Sequence, residues 1–322
     1  MTKSKKLCLG IWVITGVLLL TIFPAFSQQK QEEFSLRVGV IPLVEQIPLV
    51  VTQKDYFIKN SKIKLDVYDS WTALEAAFRT GAVGAAVITL PKALIMAYEG
   101  IPLKIVLVVN RNGSAFVSKS DSLKDLKGTI IGGSGNDTMD LVIFSKILKS
   151  QGLKLGYDVK YLLIPLKRAT ALLKEDRLFG FCLPEPYGAM AEKEGLVKKI
   201  VLSKDVYPNH IDSVLIVNPA LLKKYPDQVK DYVSKIIKSA QFVEKDKDAS
   251  KGKQSALAQA DIFKLDPDLV CIALTKPKDR VLFNNFTPSA TEIGEVQQAL
   301  MELGAQGGAV KLNDIIETKY AE

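Results

Sequence analysis

The sequence predicts an α/β protein built as two similar lobes, each a mainly parallel sheet flanked by helices. Two observations carry that expectation. From residue 36 onward short β-branched runs alternate with stretches of helical period, and a turn-rich break, Asn110-Arg111-Asn112-Gly113, divides the alternation into two sets. Strands separated by helices of about ten residues imply β-α-β units, whose sheets are covered on both faces. The composition agrees: among 322 residues, 48% are hydrophobic and 24% charged, which excludes collagen-like, mucin-like and coiled-coil chains. That length buries a sizeable core without disulfides or metals.

The first set offers strands at 36–41, 63–68, 83–87 and 104–109, with helices at 47–59, 71–80 and 90–98 between them. The second offers strands at 115–118, 129–132, 160–164, 179–183 and 197–202, and helices at 137–150, 166–174 and 185–193. Beyond His210 a strand at 214–217 precedes mostly helix, notably 228–244, where Val229, Tyr232, Val233, Ile236, Ile237 and Ala240 recur at helical spacing. Residues 245–254 are charged and breaker-rich, and read as a solvated loop or a frayed end. No fixed-period repeat is visible, so solenoids and propellers are not expected.

The first 27 residues read as an export signal. Lys3, Lys5 and Lys6 precede an uncharged apolar run at 7–23, and Ala25-Phe26-Ser27 stands before Gln28 with small residues at the two cleavage subsites. A retained anchor is the alternative, and Cys8 lies too early to be an acylated lipoprotein cysteine. No later segment approaches 18 continuous apolar residues. The expected location is periplasmic, with no stable membrane span after cleavage. Lys plus Arg exceed Asp plus Glu, 43 to 35, for a net charge of +8, but three of those lysines belong to the leader. The remaining excess forms no basic stripe, so no nucleic-acid partner is expected.

The residues that could carry chemistry are few. One histidine, His210, and no C-x-x-C leave no ordinary zinc site, and no metal or cofactor is expected. Cys182 and Cys271 sit in apolar surroundings and read as buried thiols, although export permits a disulfide. Asp212 and Ser213 follow His210, but in an extended strand they face opposite ways, so a hydrolase triad does not converge. Gly132-Gly133-Ser134-Gly135-Asn136-Asp137-Thr138 matches neither a P-loop nor a dinucleotide fingerprint. It does follow a strand and open a helix, where Asn136, Asp137 or Thr138 could cap and backbone N–H groups could seat an anion. In open α/β sheets ligands sit outside the carboxyl ends of the strands. Those ends carry Pro42-Leu43-Val44-Glu45, Ser70-Trp71-Thr72, Thr89-Leu90-Pro91, Asn110-Arg111-Asn112-Gly113-Ser114 and Pro184-Glu185-Pro186-Tyr187, a set that suggests a cleft between two lobes.

Arg37-Val38-Gly39-Val40-Ile41-Pro42-Leu43 with Ile47-Pro48-Leu49-Val50-Val51, then Ser70-Trp71-Thr72-Ala73-Leu74 and Gly81-Ala82-Val83-Gly84-Ala85-Ala86, resembles the opening of the nitrate/sulfonate/taurine family of ABC-transporter substrate-binding proteins. Gly180-Phe181-Cys182-Leu183-Pro184-Glu185-Pro186-Tyr187-Gly188 and the segment from Asn209 to Asn218 resemble its nitrate and bicarbonate branch. The resemblance implies a periplasmic-binding-protein type II fold: lobe 1 from 28–112 plus 212–322, lobe 2 from 113–211, with hinge closure trapping the solute. It implies a monomer that binds a small anionic or zwitterionic solute and delivers it to an ABC permease and its ATPase, without being an enzyme. A receptor feeding a membrane sensor is the alternative, and a pyrimidine-synthase-like enzyme a more distant one, since the cysteine-rich iron motif of those cousins is missing.

The ligand contacts expected on this resemblance and on the strand ends are Leu43, Glu45, Trp71, Thr72, Thr89, Arg111, Ser114, Ser134, Asp137, Thr138, Met139, Glu185, Tyr187, His210 and Ser213. Trp71 matches the family tryptophan whose backbone and indole N–H can donate to an anion; packing at a helix start is its other reading. Ser213 stands where the nitrate and bicarbonate branch has Lys or Glu, and Met139 where it has His, so ordinary nitrate or bicarbonate binding is not expected. Arg111 is the rim cation that could replace the missing Lys, with a solvated turn arginine as the equal alternative. Met139, Tyr187 and Trp71 could widen the pocket for an organic ligand, with core packing the equal alternative for Met139, and His210 is either a hinge residue or a contact.

Overall fold

The computed structural model describes residues 34–56 and 62–322. The expected leader, and the end of the helix expected over 47–59, lie outside the described residues. Eleven strands among the described residues form two sheets: β1 (Leu36–Val40), β2 (Ile63–Val67), β3 (Ala85–Thr89), β4 (Lys104–Asn112), β5 (Ser114–Ser118), β6 (Ile130–Gly133), β7 (Lys160–Leu163), β8 (Gly180–Pro184), β9 (Lys199–Leu202), β10 (Ile211–Val217) and β11 (Val281–Leu282). The first sheet has the order β11-β4-β10-β3-β1-β2, the second β7-β6-β8-β5-β9.

Both sheets are mixed rather than mainly parallel. β2, β1 and β3 run parallel, as do β7, β6 and β8, and these are the β-α-β parts that periodicity reveals. The antiparallel pairings come from the strands that cross between sheets: β10 against β3 and β4, and β5 against β8 and β9. The chain leaves the first sheet at the end of β4 and enters the second at β5 with only Gly113 between them, then returns through β10. Gly113 is required there. Its φ is +111°, and a Cβ would lie 2.9 Å from Glu45 Cγ and Oε1 and 3.1 Å from Asn110 Nδ2.

β3, β8 and β10 are buried along their whole length, which explains their unbroken apolar runs. One apolar cluster runs from Leu74, Ile88 and Leu94 beside the first sheet to Phe116, Phe144 and Phe181 at the second. The helix Trp71–Arg79 starts at Ser70, whose side chain accepts from Ala73 N at 3.2 Å. After the short helix Ile47–Val51 comes a π-turn, Thr52–Tyr56, so the first expected helix is not regular along its length.

One expected loop is helix. The helix Pro226–Ala249 continues through residues 245–249, and both Asp246 and Lys247 are buried. These charges fold inward because each has partners: Asp246 accepts from Ser255 N and Oγ at 2.8 Å, and Lys247 donates to Glu244 at 2.7 Å and to the carbonyls of Lys278 and Val281. Cys182 and Cys271 are both free thiols, the former buried in β8.

Candidate functional site

Where the two sheets meet, the loop after β1 docks on the loop after β8. Val44 N donates to Glu185 O at 3.1 Å, and Glu185 N donates to Glu45 Oε1 at 2.9 Å. Glu185 in turn accepts from Arg280 Nε at 2.7 Å and Ala189 N at 3.0 Å; Arg280 also reaches Glu192 at 3.1 Å. On the other side of Gly113, the Asn110 side chain donates through Nδ2 to Asp212 at 3.3 Å and accepts through Oδ1 from Ser213 N at 3.1 Å. Glu45, Asp212 and Asp140 are all buried, and none has a Lys or Arg partner among the described residues. Burial raises all three from their ordinary values, Asp212 to about 7, and the nearby charge of Asp212 adds to the rise at Glu45.

Beside this junction a cavity of about 530 Å³ opens at the carboxyl ends of β1, β2 and β8. Ile41, Pro42, Val67 and Asp69 form one wall, Leu166, Lys167, Pro186, Tyr187 and Met190 the facing wall, and residues 262–266 with Leu269 the third. Asp69 and Lys167 pair across its mouth at 2.6 Å. Burial, with Glu45 and Asp69 nearby, pushes the Tyr187 phenol up to about 12, so it remains a neutral donor.

The expected contacts divide into groups. Tyr187 lines the cavity itself. Trp71, 4% exposed, packs into the apolar core and is not among the residues lining the cavity; its Nε1 has no hydrogen-bond partner, an unmet donor at the start of a nine-residue helix. Thr72, beside it, is exposed. Thr89 donates to Asp137 O at 3.2 Å, and the Asp137 carboxylate pairs with Lys92, which also holds Glu75 at 2.7 Å. These bonds tie the end of β3 to the loop after β6. Leu43 is buried and its carbonyl accepts from Gln46 N; Ser114 N donates to Ser203 Oγ at 3.2 Å.

Four expectations need correction. Arg111 is not a rim cation: it is buried, pairs with Glu292 through both terminal nitrogens and donates to the carbonyls of Asn209 and Asn285, so its charge is already spent on the fold. Ser134 gives both its N–H and its hydroxyl to Asp140, at 3.0 and 2.9 Å, so the glycine-rich segment seats the protein's own carboxylate. The helix there begins at Met139, not 137; Thr138 donates to Gly135 O at 3.1 Å and Met139 is fully buried core. Asp212 and Ser213 do meet, Ser213 Oγ donating to Asp212 at 3.1 Å, because β10 shifts register against β4 on either side of Ser213. No triad follows: the His210 ring faces Tyr207 O at 2.6 Å through Nδ1, its Nε2 has no partner, and burial lowers its pKa to about 4, which keeps it neutral.

Gln46, Lys92, Asp140 and Arg280 were not legible as site residues. Gln46 accepts from Ile41 N at 2.9 Å, while its Nε2, fully buried, is unpaired. Its position beside Glu45 was the available signal. Arg280 lies far along the chain in a stretch with no motif, and only the tertiary fold brings it to Glu185.

A family model described as the NMT1-like family matches residues 29–258. The nitrate import ATP-binding protein NrtC of Synechocystis is 25% identical over 235 residues, 66% of this chain and 35% of that protein. The chain thus spans about a third of the length of that curated relative. Among solved structures, the ligand-binding component of an ABC-type import system from Staphylococcus aureus superposes with a TM-score of 0.77 at 19% identity, over 89% of this chain and 98% of the other. The periplasmic nitrate-binding protein NrtA from Synechocystis superposes with a TM-score of 0.79 at 13% identity, over 90% and 88%. These neighbours share the periplasmic-binding-protein fold, and the chain belongs to the NMT1-like family.

Proposed function

We propose that this protein is the extracytoplasmic solute-binding component of an ABC importer and has no catalytic role. Lobe 1 comprises residues 28–112 and 212–322 and lobe 2 residues 113–211, with the crossing strands at Gly113 and Ile211 as the hinge. A small anionic or zwitterionic solute is held between the lobes and passed to a membrane permease driven by its ATPase. The leader directs the chain to the periplasm, where it acts as a monomer.

The cavity of about 530 Å³ carries this reading, because its walls come from both sheets and lie at strand ends where open α/β sheets hold ligands. The unmet Trp71 donor supports a polar ligand group beside it. The relatives' printed roles in nitrate import and ABC-type import support the transport step. A thermal-shift screen of dialysed protein tests it, with nitrate, bicarbonate with calcium, taurine, alkyl and aryl sulfonates, phosphonates and carboxylates as the panel. A ligand at 100 times its Kd stabilises the folded state by about 2.7 kcal/mol, a rise of roughly 5–10 °C. Absence of any shift across the panel contradicts the proposal.

A further inference from the structure

We infer that Lys92 and Asp137 form an ionic latch between the two lobes, a positioning pair that keeps the cleft closed with charges of the protein itself. The inference rests on the two-lobe solute-binding reading, and neither residue needs to touch the solute.

The local sequence gives the first sign. The helix Leu90–Tyr98 starts after Thr89, with Pro91 and Lys92 in its first turn and no acidic residue there. The amino end of a helix carries partial positive charge, so a lysine at that position is locally unfavourable. The Lys92 side chain is also only 3% exposed, and a buried ammonium group is tolerated only when it is paired. A residue that breaks a local rule in this way is held by something else in the fold.

What holds it are two carboxylates from different lobes. Lys92 Nζ donates to Glu75 Oε2 at 2.7 Å, and Glu75 lies on the helix Trp71–Arg79 of lobe 1. The same Nζ donates to Asp137 Oδ2, and Asp137 lies in lobe 2, between β6 and the helix Met139–Ser150. Thr89 Oγ1 donates to the Asp137 carbonyl at 3.2 Å, so the start of one lobe 1 helix grips both the backbone and the side chain of a single lobe 2 residue. Arg79 supports the arrangement from behind, pairing with Glu75 at 2.6 Å and with Glu99.

The second sign is what parting the lobes leaves behind. Losing Asp137 leaves Lys92 with Glu75, while Asp137, whose side chain is already 26% exposed, gains water. Neither charge is stranded, so the bond can be made and broken without an uncompensated ion. The buried pair of Arg280 and Glu185 also joins the lobes, but Glu185 is fully buried and its N–H donates at 2.8 Å to Gly113 O, in the crossing itself. Removing that cation strands a buried charge. The Asp69–Lys167 pair lies in solvent on both sides and holds little. Of these pairs, Lys92–Asp137 combines shelter from water with freedom to open.

Pulsed electron paramagnetic resonance between spin labels on the two lobes tests this. Lys64→Cys in lobe 1 and Lys154→Cys in lobe 2 provide exposed label sites in a full chain carrying Cys8→Ser and Cys271→Ser, while Cys182 is buried. Without added solute, Asp137→Asn is expected to shift the distance distribution towards the open form, lowering the closed-to-open ratio about tenfold, in line with the loss of one hydrogen bond between charged groups. Lys92→Met is expected to do the same, and the double variant to open the cleft no further than either single one. Glu75→Gln removes only the lobe 1 partner and is expected to leave the lobes closed. The melting temperature of Asp137→Asn is expected to stay near that of the wild type; a fall in melting temperature with unmoved distances would make the pair a structural bond and not a latch. Identical distributions in the wild type and both single variants overturn the inference. Opening in Lys92→Met without opening in Asp137→Asn overturns it too, since Lys92 then acts through Glu75 inside lobe 1. The solute-binding reading fails separately, by the absence of any shift in the ligand screen, whatever the distances show.

Discussion

Two neighbouring regions use charge in opposite ways. At the junction between the sheets Glu45, Glu185, Arg280, Asn110 and Asp212 are buried and most of their polar atoms are bonded to one another. At the cavity mouth, Asp69, Lys167, Lys264 and Asp266 are exposed. The junction spends its charges on geometry, fixing how one loop meets the other. The mouth keeps its charges at the surface, where pairs such as Asp69–Lys167 and Lys193–Asp266 are exposed to solvent. A charged residue at a strand end is therefore not a ligand contact by type alone; whether the protein has already satisfied it decides.

The largest expected effect is at the junction. Arg280→Met leaves Glu185 buried without its cation, and breaking a buried pair in this way typically costs about 3–5 kcal/mol. Urea denaturation monitored by far-UV circular dichroism reads it; a change no larger than that of a surface variant would show that the pair does not organise the junction.

The next effect is a pH dependence with a defined sign. Asp212, raised by burial to about 7, binds a proton more tightly folded than unfolded. The folded state then carries more protons between the unfolded carboxylate value, about 3.9, and 7, so stability falls as pH rises through that window. Glu45 contributes in the same direction. Greater stability at pH 6.5 than at pH 8 is expected, with the slope reduced in Asp212→Asn; below pH 6.5 the buried neutral His210, lowered to about 4, pulls the other way. A slope of opposite sign in the wild type, unaffected by that variant, would place both carboxyls in a more hydrated setting.

Smaller effects separate junction from mouth. Trp71→Phe removes an N–H that has no protein partner, so stability should change little, while solute affinity should fall roughly three- to tenfold, the worth of one hydrogen bond. Lys167→Ala breaks an exposed pair, and at most about 1 kcal/mol of stability is expected to change. Thermal melts and titration of the two variants side by side check both statements.

Much of the fold was legible because strands and helices alternate with clear turn signals: β3, β8 and the helices Leu90–Tyr98 and Met139–Ser150 fall within two residues of their expected bounds. What periodicity could not show was strand direction. β10 has the same apolar run whether it joins its sheet parallel or antiparallel, and only its return from the second sheet decides. Site chemistry was less legible for a related reason. Arg111 and Ser134 have the right types for anion binding, but Glu292 and Asp140 occupy them, and those partners stand at sequence distances no motif spans or, for Asp140, inside the helix itself. Residues 245–249 misled because charge usually means solvent; here Val281 O, Lys278 O and Ser255 supply the missing partners.

Trp71 provides the most direct test of the central claim, that solute binds between the two sheets. The sequence holds two tryptophans, Trp12 and Trp71, so a Trp12→Phe background leaves Trp71 as the sole reporter at the strand ends. Titration of its fluorescence with the thermal-shift hits is expected to give a saturable change whose midpoint matches calorimetry, with the change lost and the affinity lowered in Trp71→Phe. Full calorimetric affinity in Trp71→Phe, together with an unaltered Trp71 signal on saturation, would place the solute elsewhere and contradict the account.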